Sequence, residues 1–230
     1  MSLGERFGCG RATMPFRVPN FTRIDLARLF AQRGYRDGAE VGVFVGEYSK
    51  VLLNNIPHLH LRCVDSWAWS RQGERGKWNT YWASAKGSRP RDVHEKNYQQ
   101  ALAALAPYPG AEVMRMLSHE AAALVPDGSL DFVYIDAEHT KQGCCSDLHL
   151  WWPKVRAGGI VSGDDYRFVN PKRPKRWGPP FRGVDAAVDE FVAELGIMEY
   201  FYTSDAERTI LGVRYAEPGR AFPSFFFEKL

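Results

Sequence analysis

Acidic side chains follow two apolar segments of the chain and could act together. Asp136 comes directly after Asp131–Ile135, and Asp164 and Asp165 come shortly after Ile160–Ser162. If these segments are neighbouring strands of one sheet, the three carboxylates converge and raise one another's pKa. A hard divalent cation relieves that repulsion, and oxygen ligands suit Mg²⁺, Ca²⁺ or Mn²⁺. The alternative is that Asp164 and Asp165 only cap a turn.

A second group of residues, Glu40-x-Gly42-x-x-x-Gly46, follows the first apolar run. Glycines at such a point let the backbone approach a ligand closely and turn into the next helix. The dinucleotide pattern G-x-G-x-x-G would need glycines where this chain has Glu40 and Val45. A carboxylate at position 40 repels a pyrophosphate but suits a ligand that carries ammonium and sulfonium groups. The pattern therefore disfavours a nicotinamide oxidoreductase.

Polar residues also follow the next two apolar runs. Asp65, with Ser66 beside it, ends the run Leu59–Val64, and its two carboxylate oxygens could accept both hydroxyls of a ribose. The alternative is a turn or capping aspartate. Ser118 closes the run Ala111–Leu117, and its neighbourhood is expected to meet a purine ring.

The elements that must position these residues alternate regularly along the chain. Apolar runs of strand length and segments of helical period follow one another about seven times, which predicts a mostly parallel sheet with helices on both faces. Ligands of such sheets bind beyond the carboxyl ends of the strands. The predicted strands are Ala39–Val45, Leu59–Val64, Ala111–Leu117, Asp131–Ile135, Ile160–Ser162, Met198–Tyr202 and Thr209–Tyr215. The predicted helices are Thr22–Gln32, Tyr48–Asn55, His94–Leu105, His119–Leu124, Gly143–Val155 and Val184–Leu195.

The chain divides into an arm with a helix over residues 1–37 and a ligand-binding domain over residues 38–230. Two insertions interrupt the domain. Residues 66–92 combine tryptophan and tyrosine with many Gly, Ser and Arg residues. Residues 167–182 carry six Lys or Arg residues, four prolines and no acid, so this segment forms a basic loop. It is either a solvated excursion or a flap, with Trp177 at its tip, that closes over a substrate.

The segments 131–139 and 147–166, with the helix 183–191, resemble class I methyltransferases of the small-molecule O-methyltransferase type. Within that group the chain is similar to methyltransferase family 24, and the similarity spans roughly residues 38–215. The resemblance implies a Rossmann-like seven-stranded sheet whose last strand is antiparallel. It also implies S-adenosyl-L-methionine as the cofactor. The residues expected to line that cofactor are Glu40, Gly42, Gly46, Asp65, Ser66, Ser118 and Asp136.

The resemblance extends to the macrocin-type sugar O-methyltransferases, in which corresponding acids hold magnesium. It implies Mg²⁺, or another divalent cation, on Asp136, Asp164 and Asp165. A bound cation can hold two substrate hydroxyls and lower their pKa while a side chain accepts the proton. Glu138 stands at the position of the proposed base in those enzymes, and His139 is its rival. The expected acceptor is a small hydroxylated molecule such as a sugar or a catechol-like diol.

Composition narrows the remaining alternatives. The net charge of +3 is too small to imply nucleic-acid binding by itself, although the basic loop keeps an RNA methyltransferase open as a second function. A third is a cofactor-binding homologue without catalysis. Four cysteines without a C-x-x-C pair suit a reducing cytoplasm, and no apolar run reaches the length of a membrane span. We therefore expect a soluble cytoplasmic enzyme with a small-molecule substrate, and a homodimer is compatible with the sequence.

Overall fold

A computed structural model of the protein describes residues 1–9, 14–68, 90–167, 183–204, 208–210, 213–215 and 222–230. The helices in these ranges are α1 (Leu3–Phe7), α2 (Arg23–Gln32), α3 (Glu47–Asn55), α4 (Pro90–Leu105), α5 (Ser118–Leu124), α6 (Lys141–Trp151) and α7 (Gly183–Glu194). A single 3₁₀ turn, Trp152–Lys154, follows α6. The strands are β1 (Phe16–Arg17), β2 (Asp37–Val41), β3 (His60–Asp65), β4 (Ala111–Arg115), β5 (Leu130–Ile135), β6 (Val155–Gly163), β7 (Phe201–Tyr202), β8 (Arg208–Ile210), β9 (Val213–Tyr215) and β10 (Phe225–Glu228).

Eight of these strands form one twisted sheet in the order β1-β7-β10-β6-β5-β2-β3-β4. The five strands from β4 to β6 are parallel, and β10 runs antiparallel to both β6 and β7. The predicted Rossmann-like α/β sheet with an antiparallel last strand is therefore confirmed. The reversal of strand order beside β2 opens a crevice at the carboxyl ends of β2 and β5, where open α/β sheets bind ligands.

The sheet has eight strands rather than the predicted seven, because the N-terminal arm adds β1 at its edge. Phe16 of β1 pairs with Phe201 of β7, and the amide of Val18 donates to the carbonyl of Tyr202 at 2.9 Å. The arm also contains α1, whose N-terminus is closed by a reciprocal capping box between Ser2 and Glu5. Neither element was predicted, because this part of the sequence is rich in Gly, Arg and Pro.

The prediction that Thr209–Tyr215 is the last strand of the sheet was wrong. β8 and β9 pair with each other in a separate antiparallel two-stranded sheet, and the antiparallel strand beside β6 is β10. Three consecutive phenylalanines of β10, Phe225, Phe226 and Phe227, are buried on both faces of the sheet. A run of this kind has no alternation, so its strand character is weakly signalled by periodicity.

Helices cover both faces of the sheet and give the molecule two hydrophobic cores. Alternate residues of β5 point to opposite faces, as a strand requires. Phe132 and Tyr134 join the core under α2, α3 and α4, whereas Val133 and Ile135 join the core under α5, α6 and α7. The ring of Phe30 in α2 stacks on Phe132 at 4.3 Å between centroids. None of the described helices has both the length and the apolar character to cross a membrane.

Two predicted boundaries shift at the carboxyl edge. The strand predicted over Ala39–Val45 ends at Val41, because Gly42 adopts a φ of +99° and turns the chain away. Ser118 was predicted to close a strand, but it is the first residue of α5. The aromatic insertion is described only at its two ends, and the basic loop only at Arg167. The rest of both segments lies outside the described residues, namely residues 69–89 and 168–182, and the second of these ranges includes Trp177.

Candidate functional site

The carboxyl ends of β2 and β5 meet at a close backbone contact. The amide of Asp136 donates to the carbonyl of Val41 at 2.7 Å, and a Cβ built on Gly42 would lie 2.0 Å from the carbonyl oxygen of Asp136. No side chain fits at position 42, and its left-handed φ independently favours glycine. Gly46 ends the same loop with a φ of +80° and precedes the first turn of α3. The two glycines thus shape the turn that opens the crevice.

Glu40 lies on β2 beneath that turn and is 2% exposed. The hydroxyl of Ser49 in α3 donates a short hydrogen bond to its Oε2. Burial, with the nearby negative charges of Asp136 and Asp65, raises the pKa of Glu40 to about 8, against the stabilising hydrogen bond from Ser49. Glu40 is therefore mostly protonated at neutral pH until a positive charge arrives beside it.

The carboxylate of Asp65, at the end of β3, connects two loops through hydrogen bonds. Its Oδ2 accepts the amide of Phe44 at 2.9 Å, and its Oδ1 accepts the amide of Trp67 at 2.8 Å. The indole of Trp67 in turn donates to the carbonyl of Phe44 at 2.7 Å. Burial raises the pKa of Asp65, and the backbone hydrogen bonds oppose that shift. Ser66 lies between Asp65 and Trp67 and accepts a long hydrogen bond of 3.4 Å from the amide of Ala68.

His139 lies between the carboxylates of two strand ends. Its Nε2 is 3.3 Å from Oδ1 of Asp136 and 3.0 Å from Oδ2 of Asp165. Burial alone would lower the pKa of His139, but the two carboxylates outweigh that effect and hold its pKa well above the ordinary value. Its side chain is still 34% exposed, so part of the imidazolium is accessible to solvent.

The negative charge of Asp164 lies near an arginine that the sequence analysis did not identify. Nη1 of Arg23, the first residue of α2, lies 3.8 Å from Oδ2 of Asp164, whose side chain is fully buried. The guanidinium also lies 5.2 Å from the centre of the Tyr48 ring, and the Tyr48 hydroxyl donates to the carbonyl of Arg23 at 3.0 Å. An arginine in the first turn of an amphipathic helix gives no sequence signal that it points inward to a distant carboxylate.

Two other predicted residues lie to one side of this group. Glu138 packs against the start of α6, where a Cβ on Gly143 would meet its Cγ at 2.0 Å, and Oε1 of Glu138 accepts the hydroxyl of Thr140 at 3.4 Å. The Ser118 hydroxyl donates to Oδ1 of Asp147 at 2.6 Å and accepts the indole N–H of Trp151 at 3.0 Å. Ser118 therefore connects α5 to α6.

The structure thus brings Glu40, Asp65, Asp136, Asp164, Asp165 and His139 to one edge of the sheet. The expected metal site is not shown there: among the described residues, no group of three or more His, Cys, Asp or Glu side chains has an arrangement that could hold a metal ion. Two cationic side chains, His139 and Arg23, lie against the three predicted ligands instead.

A sheet of this topology, with acids at the ends of its first two parallel strands and a glycine turn between them, defines a Rossmann-like ligand-binding protein of the α/β class. The family model described as a methyltransferase domain, Methyltransf_24, matches residues 39–166, which is more than half of the chain. The chain therefore belongs to methyltransferase family 24. The matched segment is therefore a methyltransferase domain of the class I fold.

Individual relatives are distant. The uncharacterized protein R132 of Acanthamoeba polyphaga mimivirus is 26% identical over 161 residues, which cover 70% of this chain and 61% of the viral protein. The chain thus spans less than two thirds of that relative's length. The O-methyltransferase TomG of Streptomyces achromogenes, solved with S-adenosylmethionine, is 16% identical with a TM-score of 0.55, covering 93% of this chain and 84% of its own. An O-methyltransferase from Bacillus cereus, solved with S-adenosylhomocysteine, is 16% identical with a TM-score of 0.52, covering 90% and 80%. At this identity the two structures support the fold alone.

Proposed function

We propose that the protein transfers the methyl group of S-adenosylmethionine to a hydroxyl of a small acceptor bound beside His139. The observation that carries this proposal is the position of His139, which is partly exposed and lies between Asp136 and Asp165 at the ends of β5 and β6. The acceptor oxygen attacks the methyl carbon, the carbon–sulfur bond breaks, and S-adenosylhomocysteine leaves. Most of the rate enhancement comes from holding donor and acceptor in line.

The cofactor's place follows from the acids of β2 and β3. Glu40 lies beneath the glycine turn, where its carboxylate suits the ammonium of the methionine part. Asp65 follows the next strand, and its oxygens retain lone pairs for ribose hydroxyls after accepting two amides. In this proposed pose the sulfonium lies toward Asp136 and His139, where the acceptor is proposed to bind. Ser118, bonded to Asp147 and Trp151, contributes through the position of α5.

His139 is the better candidate of the two predicted bases. Glu138 is turned toward Thr140 and Gly143 at the start of α6, whereas His139 reaches the carboxylates at the strand ends. Because the pKa of His139 is raised, it carries a proton in the resting enzyme and must lose it before it can accept the proton of the substrate hydroxyl.

The residues present do not fit a resident divalent cation in the arrangement described. Asp136 and Asp165 share the imidazolium of His139, and Asp164 is turned toward Arg23. A cation would supply Lewis-acid polarisation of the substrate hydroxyls, but it would first have to displace both of these positive side chains. We therefore derive no step through a metal, and sugar or catechol recognition rests on the protein's own side chains.

A chelation experiment tests this choice. Once an acceptor that is methylated has been found, the rate in excess chelator is expected to stay within about twofold of the untreated rate. The reason is that His139 and Arg23 already place two positive charges against the three carboxylates. The control is the same assay with added Mg²⁺ and no chelator. Loss of activity in chelator that Mg²⁺ restores would establish the metal-assisted mechanism instead.

Cofactor binding is expected to release a proton near neutral pH. Glu40, with its pKa near 8, is protonated at pH 7, and an ammonium beside it favours the ionised form. Titration calorimetry of S-adenosylmethionine in two buffers of different ionisation enthalpy at pH 7 should report release of roughly one proton, falling toward zero above pH 9. Glu40→Gln should abolish the release. A proton balance that Glu40→Gln leaves unchanged would remove Glu40 from the ammonium site.

The acceptor class is identified by a screen with isotope-labelled methyl donor. Small sugars, catechols and other diols form one arm, and RNA oligonucleotides form the other. The proposal expects label in a small hydroxylated molecule and none in RNA. Transfer to RNA would contradict it and would assign the basic loop a role in holding phosphates.

A further inference from the structure

The first residue of α7, Gly183, packs directly against the backbone that carries His139. A Cβ built on Gly183 would lie 2.5 Å from the carbonyl oxygen of His139 and 2.4 Å from the amide nitrogen of Lys141. Both atoms belong to the backbone, so neither can rotate away as the end of a side chain would. A residue with a side chain at position 183 would therefore force α7 and the His139 segment apart.

Backbone conformation does not explain why position 183 is a glycine. Gly183 is not among the described glycines with a positive φ, and glycine is a poor helix former. The helix 183–191 carries part of the family resemblance, but the proposed function gives its first residue no role. The close approach to the backbone of residues 139–141 is what position 183 requires.

The first two turns of α7 also hold the segment that supplies a partner of His139. The side chain of Tyr166 is fully buried, and its hydroxyl donates to Oδ1 of Asp189 in α7 at 2.6 Å. Tyr166 directly follows Asp165, whose Oδ2 lies 3.0 Å from Nε2 of His139. One helix therefore contacts the chain on both sides of the contact between His139 and Asp165.

We propose that Gly183 is a positioning residue for methyl transfer: it lets the first turns of α7 reach the backbone of His139 and so places the imidazole at the acceptor hydroxyl. This inference rests on the proposed function, in which His139 is the base. Ordinary contacts between nonbonded heavy atoms begin at about 3.5 Å, so a Cβ at position 183 displaces the His139 backbone by about 1 Å. A displacement of that size costs about 10²-fold in rate.

The kinetics of Gly183→Ala test the proposal with the acceptor that the labelled-donor screen identifies. We expect kcat to fall about 10²-fold and KM for S-adenosylmethionine to stay within about twofold, because Glu40 and Asp65 lie on other strand ends. If Gly183 acts through His139, adding Gly183→Ala to His139→Ala removes no further activity. A loss by the same factor in both backgrounds overturns the inference.

Ala186→Gly provides a matched control on the same helix. Ala186 is exposed on α7, and its replacement by glycine weakens the helix without contact to His139. The thermal midpoint of this variant should fall while its kcat stays at the wild-type value. If Ala186→Gly lost as much kcat as Gly183→Ala, the stability of α7 rather than the position of His139 would be responsible, and the inference would fail.

NMR of the histidine ring protons reports the geometry without an acceptor, in the complex with S-adenosylhomocysteine. The chain has six histidines, and the signal of His139 is the one that His139→Ala removes. Gly183→Ala should shift this signal more than that of His149, whose ring centre lies 5.0 Å from that of Phe191 farther along α7. An unshifted His139 signal overturns the inference. So does an equal shift of both signals, since the whole helix would then have moved.

Failure of the inference differs from failure of the proposed function. If the wild-type protein binds no S-adenosylhomocysteine, or if His139→Ala keeps the wild-type kcat, the proposed function fails and the inference fails with it. If His139→Ala loses activity and Gly183→Ala does not, only the inference fails. If Gly183→Ala does not fold, Tyr166→Phe decides, because it removes only the hydrogen bond to Asp189. A fall in kcat that is absent in the His139→Ala background supports the inference, and a wild-type kcat overturns it.

Discussion

Replacing Arg23 by Gln is expected to lower the free energy of unfolding by about 3 kcal/mol, because it removes a positive charge from beside the fully buried carboxylate of Asp164. Glutamine keeps the methylene stem and a polar end but lacks the guanidinium and its charge. Urea denaturation followed by tryptophan fluorescence measures it. The additional change Asp164→Asn should recover part of the loss, since the buried charge is then gone.

Helix α2 provides a matched control for that measurement. Arg28 pairs with Asp25 at 2.9 Å, but the Arg28 side chain is 61% exposed. Solvent screens such a pair, so Arg28→Gln should cost about 0.5 kcal/mol or less. If the two arginine variants were equally stable, Arg23 would have no role in neutralising Asp164, and the case against a resident cation at that residue would fail.

Replacing His139 by Ala is expected to lower kcat by about 10²- to 10⁴-fold, because the acceptor hydroxyl loses its base. For the wild-type enzyme, kcat/KM should rise with pH and reach half its maximum above the ordinary histidine value of 6.5, since only the deprotonated imidazole can accept a proton. The same raised pKa makes the His139 contribution to stability complete below pH 6.5 and lost as pH rises through the folded-state value.

Glu138→Gln is the control for that prediction, since Glu138 is the rival base and lies against α6 rather than between the strand ends. It should retain most of kcat. A loss of activity in Glu138→Gln that exceeds the loss in His139→Ala would reverse the two roles.

Much of the central sheet could be predicted because the periodicity of apolar residues indicates its strands and helices. The helix predicted over Thr22–Gln32 occurs at Arg23–Gln32 with Thr22 as its cap, and the buried run at the core of β5 was found within one residue. The outer strands of the sheet were harder to predict. β1 is two residues long, and β10 is a run of phenylalanines without alternation, so neither carries a period that reveals it.

The candidate site shows the same division. Acids that follow strands could be placed at one edge from the order of elements alone, and Asp65, Asp136, Asp164 and Asp165 lie there. The positive charge beside Asp164 could not be predicted from the sequence. Arg23 is more than a hundred residues from Asp164 and reaches it only because α2 packs on the sheet. The left-handed conformation of Phe44 could not be predicted either, because its φ of +57° is a property of the folded backbone.

The central claim is that the crevice at the carboxyl edge binds S-adenosylmethionine and not a dinucleotide. Its most direct test is a calorimetric titration of the purified protein with S-adenosylhomocysteine and, separately, with NAD. The account predicts one S-adenosylhomocysteine bound per chain and no detectable heat of binding for NAD, because Glu40 stands where a pyrophosphate would need a glycine. Saturable binding of NAD without binding of S-adenosylhomocysteine would contradict it.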